Sequence, residues 1–214
     1  MPTDLFVVGA GGFGREVLDV VAAINRVENR FRVLGVVDDR PSQRDLARLR
    51  ALAMPWLGTV AEVIAAYAPA DFALAIGDPR SRRLVAGILE SAGWRPATLI
   101  HPAAVVGSVA EIGAGSIVCG GVQLSTNTTL GRFVNLNPNA TVGHDADLAD
   151  FVSVNPAAVV SGEVRLDPGV LLGAGAVVLQ GLSVGSGSTI GAAACVTRSV
   201  PANVIAKGVP ARWA

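Results

Sequence analysis

Residues 136–160 read LNPNATVGHDADLADFVSVNPAAVV, and in them Leu136, Val142, Leu148, Val154 and Val160 fall on every sixth position. The phase continues back through Leu130, Leu124, Val118, Ile112 and Val106 to Ile100. It continues forward through Leu166, Leu172, Val178, Val184 and Ile190 to Val196, without a slip. A helix of period 3.6 or a strand of period 2 does not hold one phase at spacing six over such a length. Chance spacing in a chain rich in Ala and Val does not hold it either. A fixed short period marks a solenoid, in which each turn buries its apolar side on its neighbours. Hexapeptide repeats predict a parallel β-helix with three short strands, and so 18 residues, per coil.

The flanking positions suit such a coil. Two residues before each anchor stands a small or aliphatic residue, such as Ala110, Ser116, Val134, Ala140, Ala146 or Ala176. These fill the corners of a narrow triangular core where bulk would overpack. The residue after each anchor is often Gly or Asn, as at Gly107, Gly113, Gly143 and Gly173, types that tolerate left-handed backbone at a corner turn. Asn137 and Asn155 are one coil apart and are expected to stack.

Acidic and basic residues balance at 17 each, with no basic cluster, which argues against a nucleic-acid or anionic-membrane partner. No apolar run reaches transmembrane length, and the N-terminus lacks the pattern of a secretory signal. Cys119 and Cys195 lie four coils apart with a remainder, about 19 Å at the strand spacing of a sheet, too far for a disulfide. Two unpaired thiols and no signal peptide imply a cytoplasmic protein.

Residues 1–99 alternate strand and helix instead. A strand from Asp4 to Val8 runs into Gly9-Ala10-Gly11-Gly12-Phe13-Gly14, with a helical pattern from Arg15. A second strand, Arg32 to Val37, ends in Asp38-Asp39-Arg40. Helices are expected over Gln43 to Ala51, Val60 to Tyr67 and Ser81 to Ala92. Strands are expected at Phe72 to Ile76, closing on Gly77-Asp78, and at Thr98 to Ile100. Four strands with helices between them make a small Rossmann-like parallel sheet, and residues 100–214 form the β-helix domain.

Gly9, Gly11 and Gly14 match G-x-G-x-x-G between a strand and a helix. Glycines there let backbone N–H groups and the helix N-terminus approach a phosphate. Asp38 or Asp39, at the end of the second strand, is placed to accept from a ribose hydroxyl. A dinucleotide such as NAD, a nucleotide diphosphate, or a ligand-free Gly-rich turn all fit these residues. The short domain and the absence of hydride chemistry downstream favour the nucleotide diphosphate.

Taken together, the glycine loop, Val37-Asp38-Asp39, Ala75-Ile76-Gly77-Asp78, Ile100-His101-Pro102, Gly143-His144-Asp145 and Gly208-Val209-Pro210-Ala211-Arg212 resemble the bacterial sugar acyltransferases of the left-handed β-helix superfamily. Within it the chain is similar to the nucleotide-linked amino-sugar N-acetyltransferases of the bacillosamine and perosamine pathways and to sialic acid O-acetyltransferases. The resemblance spans the whole chain. It also supplies the left hand of the β-helix, because parallel crossovers are normally right-handed and period six does not set the hand.

The chain has two histidines. His101, before Pro102 at the domain junction, reads as structural. His144 stands at a corner beside Asp145, and acyl transfer from a thioester needs such a pair: a neutral ring nitrogen to take a proton, and an anion to stabilise the imidazolium. A solvated corner pair is the alternative. The resemblance places the family's catalytic histidine on His144 and its acidic companion on Asp145. Zinc is not expected, because the β-helical carbonic anhydrases use three histidines, and His101 and His144 occupy different columns.

The resemblance further implies a homotrimer with coenzyme A in the grooves between neighbouring β-helices, near Gly162, Ala174 and Ala192. The tail from Asn203 to Arg212 closes over the groove, with Lys207 or Arg212 near the phosphates. Ser153 occupies the place where some relatives carry a second histidine, and is expected to donate a hydrogen bond at the cofactor. Gly12, Phe13, Gly14, Asp38, Asp39, Arg40 and Gly77 are the expected contacts to the nucleotide of the acceptor. Asn137 either binds its sugar or is a turn residue stacked on Asn155. The implied activity is acetylation, by acetyl-CoA, of the 4-amino group of a nucleotide-linked amino-deoxy sugar, with GDP-perosamine preferred. The alternatives are O-acetylation of a sugar hydroxyl and a non-catalytic trimeric nucleotide-binding scaffold.

Overall fold

Strand β1 (Thr3–Val8) is apolar through its second half and lies between two parallel neighbours, β2 (Phe31–Val37) and β3 (Asp71–Leu74). Leu5, Phe6, Val7 and Val8 are all buried, as a strand covered on both faces by crossover helices must be. The sheet order is β2-β1-β3-β4, and the fourth strand is the short β4 (Arg95–Pro96), paired to Asp71 and Phe72. The sequence pattern placed that strand at Thr98 to Ile100. Only Leu99–Ile100 there is extended, and it does not join this sheet. Apolar character reveals a strand but not its partner, and Arg95 is held in the sheet by an ion pair to Asp71 at 2.8 Å.

Four helices connect these strands: α1 (Gly12–Glu28), α2 (Gln43–Ala51), α3 (Val60–Ala66) and α4 (Pro79–Ser91). Three begin on a side-chain cap: Ser42 for α2, Thr59 in a reciprocal capping box with Glu62 for α3, and Asp78 followed by proline for α4. Helix α1 starts on Gly11 with no side-chain cap and no acidic residue in its first turn.

The computed structural model describes residues 1–213, in two compact units, Met1–Pro102 and one that begins at Ala103. The second unit is a parallel solenoid of two-residue strands in three sheets. One holds five strands from Glu111–Ile112 to Ser183–Val184, and one holds six from Val105–Val106 to Cys195–Val196. The third runs in this unit from Ile117–Val118 to Ile205–Ala206. The pairings from Val105–Val106 to Cys195–Val196 join residues 18 apart, as Val142 joins Val160 and Leu136 joins Val154, and the last strand, Ile205–Ala206, pairs 16 residues on from Thr189–Ile190. This is the left-handed β-helix with its 18-residue coil.

The anchors from Val118 to Val196 line the interior with almost no exposure. Ile100 and Val106, at the start of the series, are instead exposed at 36% and 41%. A first coil has a neighbour on one side only.

The corners correct one expectation. Positive φ falls on the third residue after the anchors from Val106 to Ile190, as at Asn127, Phe133, Asn139, Asp145, Phe151 and Glu163. It does not fall on the residue directly after the anchor. The glycines at that first position are needed for space: a Cβ on Gly107, Gly143 or Gly173 would meet backbone of the next coil at 2.5–2.6 Å. The chain closes with Cys195 donating to the Gly208 carbonyl (3.0 Å) and Ala211 donating to that of Cys195 (2.7 Å). The tail therefore hydrogen-bonds along the otherwise open edge of the last coil. Cys119 and Cys195 are not joined in a disulfide. Among the described residues, no helix is long and apolar enough to cross a membrane.

Candidate active site

His144 and Asp145 form the corner that follows the Thr141–Val142 strand. Asp145 adopts φ +60°, a conformation that Asp tolerates better than most residues and that turns its carboxylate back toward the ring. Nδ1 of His144 and Oδ2 of Asp145 are 2.7 Å apart. The second oxygen of Asp145 accepts from Asn127 Nδ2 at 2.5 Å, one coil below. The Asn127 bond, and then the His144 bond, hold the Asp145 carboxyl below the usual carboxylate range. An anionic Asp145 puts the shared proton on Nδ1 and leaves the lone pair on Nε2, an assignment that follows from the network. The His144 side chain is half exposed.

One coil above, the Glu163 N–H donates to the His144 carbonyl at 2.8 Å. The ring nitrogen of His144 and carboxylate oxygens of Asp145 and Glu163 all lie within 4.8 Å of one another. Asn127 and Glu163 were missed in the sequence, although each stands one coil from Asp145 and the 18-residue period points to both. A cleft of about 460 Å³ opens beside the imidazole, lined by Val105, Gln123, Ser125, Thr141, Gly143 and His144, among others.

The other expected residues of this unit separate into groups. Gly162 is buried beneath the His144 ring, where an added Cβ would lie 2.6 Å from Cε1 and Nε2. Ala174 and Ala192 are exposed and stack one over the other, with Ala193 donating to the Ala174 carbonyl, but at the neighbouring corner of the triangle. Asn137 belongs to that same corner column, and its Nδ2 donates to Asn155 Oδ1 at 2.9 Å, the expected stack. Ser153 lies on a different sheet from the His144 strand and is 1% exposed, so its hydroxyl does not reach a surface groove. Lys207 is exposed, and its backbone exchanges two hydrogen bonds of 2.9 Å with Arg212.

The first unit carries a second cleft, of about 180 Å³, at the C-terminal ends of its strands. Asp38, Asp39 and Arg40 line it together with Val8, Gly9 and Ile76. This end of an open α/β sheet is where ligands bind. Asp38 fastens the glycine loop, with Oδ2 accepting from the Ala10 N–H at 2.7 Å and Oδ1 from the Arg40 N–H at 2.8 Å. Asp39 Oδ1 accepts from the Val60 N–H at the start of α3.

The glycines of the loop divide by role. A Cβ on Gly14 would lie 1.9 Å from the Gly9 carbonyl oxygen, and one on Gly9 would lie 2.5 Å from that of Ala75. Gly14 is therefore needed for close packing of α1 on the end of β1, and Gly9, at φ +120°, for its conformation and its approach to the segment after β3. Gly11 has nothing within 4 Å of such an atom, and Gly12 only the tip of Arg15. The N–H groups at Gly12 and Phe13 receive no side-chain cap at the positive end of a 17-residue helix. Gly77 accepts from Arg82 through its carbonyl at 3.0 Å, as does Ile76 at 2.7 Å. Arg82 is fully buried, and burial pushes its guanidinium down to about 10 against the opposing charge of Asp78. It stays charged at neutral pH and clamps the loop after β3, a role the sequence pattern gave no sign of.

Residues 4–89 match the family model described as the PglD N-terminal domain. GDP-perosamine N-acetyltransferase of Escherichia coli O157:H7 is 34% identical over 145 residues, which cover 67% of this chain. The chain spans 63% of the length of that curated relative. The acetyltransferase domain of PglB from Neisseria gonorrhoeae FA1090, solved with acetyl coenzyme A, is 30% identical. It covers all of both chains with a TM-score of 0.85. PerB from Caulobacter crescentus, solved with CoA and GDP-perosamine, is 27% identical over 99% of this chain and 97% of its own, with a TM-score of 0.86.

Proposed function

The chain belongs to the left-handed β-helical sugar acetyltransferases that carry a PglD-type N-terminal domain, and from that membership we propose that it transfers acetyl from acetyl-CoA to the 4-amino group of a nucleotide-linked amino-deoxy sugar, with GDP-perosamine as acceptor. The observation that carries the chemistry is the 2.7 Å contact between His144 Nδ1 and an anionic Asp145, in a ring that lines a cleft and keeps Nε2 as its unprotonated nitrogen. At neutral pH an amino sugar is largely an ammonium ion, and it reacts as the free amine after losing one proton to solvent. Nε2 takes a proton from the nitrogen as its lone pair attacks the thioester carbonyl. The tetrahedral intermediate collapses, the C–S bond breaks, and the imidazolium returns its proton to the CoA sulfur. Asp145 stabilises the imidazolium without carrying the proton.

The Gly12–Phe13 N–H groups at the helix start receive the diphosphate, and Asp38, Asp39 and Arg40 face the nucleoside. Ala174, Ala192 and Lys207 face CoA. The groove they line is completed by a neighbouring β-helix in a homotrimer, and light scattering of the purified chain reads that state. The deciding experiment mixes acetyl-CoA with GDP-perosamine, a UDP-linked 4-amino sugar and sialic acid, and titrates released thiol. Release with the GDP-linked amine supports the proposal. Release with sialic acid alone makes the enzyme an O-acetyltransferase, and no release with any of the three points to a scaffold.

A further inference from the structure

Gly162 holds the second position after an anchor, Val160. In other coils this position carries Thr126, Arg132, Asp150, Pro156 or Pro168. The repeat therefore accepts branched, long and cyclic side chains there, and the prolines show that its φ suits any L-residue. Gly162 is not among the residues with positive φ. Backbone conformation does not explain the glycine.

The space around it does. A Cβ on Gly162 would stand 2.6 Å from Cε1 and Nε2 of His144 and 3.1 Å from Cδ2, well inside van der Waals contact with the imidazole. The corner glycines Gly107, Gly143 and Gly173 would strike backbone instead. A backbone clash has no cheap relief, but a half-exposed imidazole can swing into solvent. An added methyl at 162 would thus leave the coil intact and evict the ring. Eviction breaks the bond from Nδ1 to Asp145, which needs the ring where it lies. The Glu163 N–H, bonded to the His144 carbonyl at 2.8 Å, keeps the Gly162 backbone in register beneath the ring.

We infer that Gly162 is a positioning residue, the bare seat on which the His144 imidazole rests so that Nδ1 meets Asp145 and Nε2 faces the acceptor. The inference deepens the reading of His144 as general base and rests on it for its catalytic consequence. The placement of the ring rests on the geometry alone.

The test is Gly162→Ala, alone and combined with His144→Ala. The single variant should keep the wild-type melting temperature within a few degrees. Its kcat should fall at least tenfold, with KM for acetyl-CoA changing less than twofold. In the His144→Ala background the same substitution should cost nothing further, because no ring remains to be displaced. A readout independent of turnover is the His144 Nδ1–H proton resonance, which should be lost or strongly shifted in Gly162→Ala without any substrate. Wild-type kcat in the single variant, multiplying losses in the double variant, failure to fold, or an unmoved Nδ1–H resonance would each overturn the inference. A wild-type chain with no transferase activity would defeat the proposed function, while the resonance would still decide the seat.

Discussion

The His144–Asp145 pair is legible in the sequence because its members are adjacent, but its support is not. Asn127 reaches Asp145 from the coil below and Glu163 ties the corner from the coil above. Asn127 supplies the first of the hydrogen bonds that hold the Asp145 carboxyl below its ordinary range. Asn127→Ala should therefore raise the pH at which Asp145 protonates. A carboxyl carbon titration by NMR reads the shift, and an unmoved titration would remove Asn127 from the site. The 18-residue period would have led to both neighbours had it been applied to polar residues as well as to anchors. Ser153 shows the opposite failure. A position counted from the histidine looks close in sequence, yet nine residues carry the chain round to another sheet and a buried site.

The sequence reveals whole elements better than their ends. The anchors specify every coil because each aliphatic residue must be buried against the next. The corners misled because a glycine has two uses, and only coordinates separate the need for positive φ from the need for space. The same ambiguity governs the glycine loop, where Gly14 packs against the Gly9 carbonyl while Gly11 and Gly12 stand open. Gly14→Val should thus destabilise the α/β unit as a whole, by several kcal/mol as overpacking costs go. Gly12→Ala, at a helix start with open space, should leave its stability within about 1 kcal/mol. Urea unfolding of the two variants compares them directly. A stable Gly14→Val protein with only a raised acceptor KM would restore the phosphate-approach explanation.

Across the molecule, charge is distributed unevenly between the two units. Asp45, Glu62 and Asp78 at the helix starts of the α/β unit are held below the ordinary carboxylate range, chiefly by bonds from Ser42, Thr59 and Ser81. In the solenoid, Asp145 is lowered. A lowered folded pKa gives stability that is complete above the unfolded value, near 4, and is lost as pH falls through the folded one. Hydrogen exchange below about pH 4 should then show amides of residues 1–102 losing protection before those of the solenoid. The reverse order would contradict this account of the caps. The central claim, however, concerns one proton. It is tested most directly by the pH dependence of kcat/KM for wild type and His144→Ala with acetyl-CoA and the GDP-linked amine. Loss of the imidazole should lower kcat by about 10²–10⁴-fold and remove one ionisation from the profile, with CoA binding intact. Asp145→Asn should cost less, because it orients the ring without carrying the proton. A His144→Ala enzyme that keeps more than half of wild-type kcat, with the same pH profile, would contradict the claim.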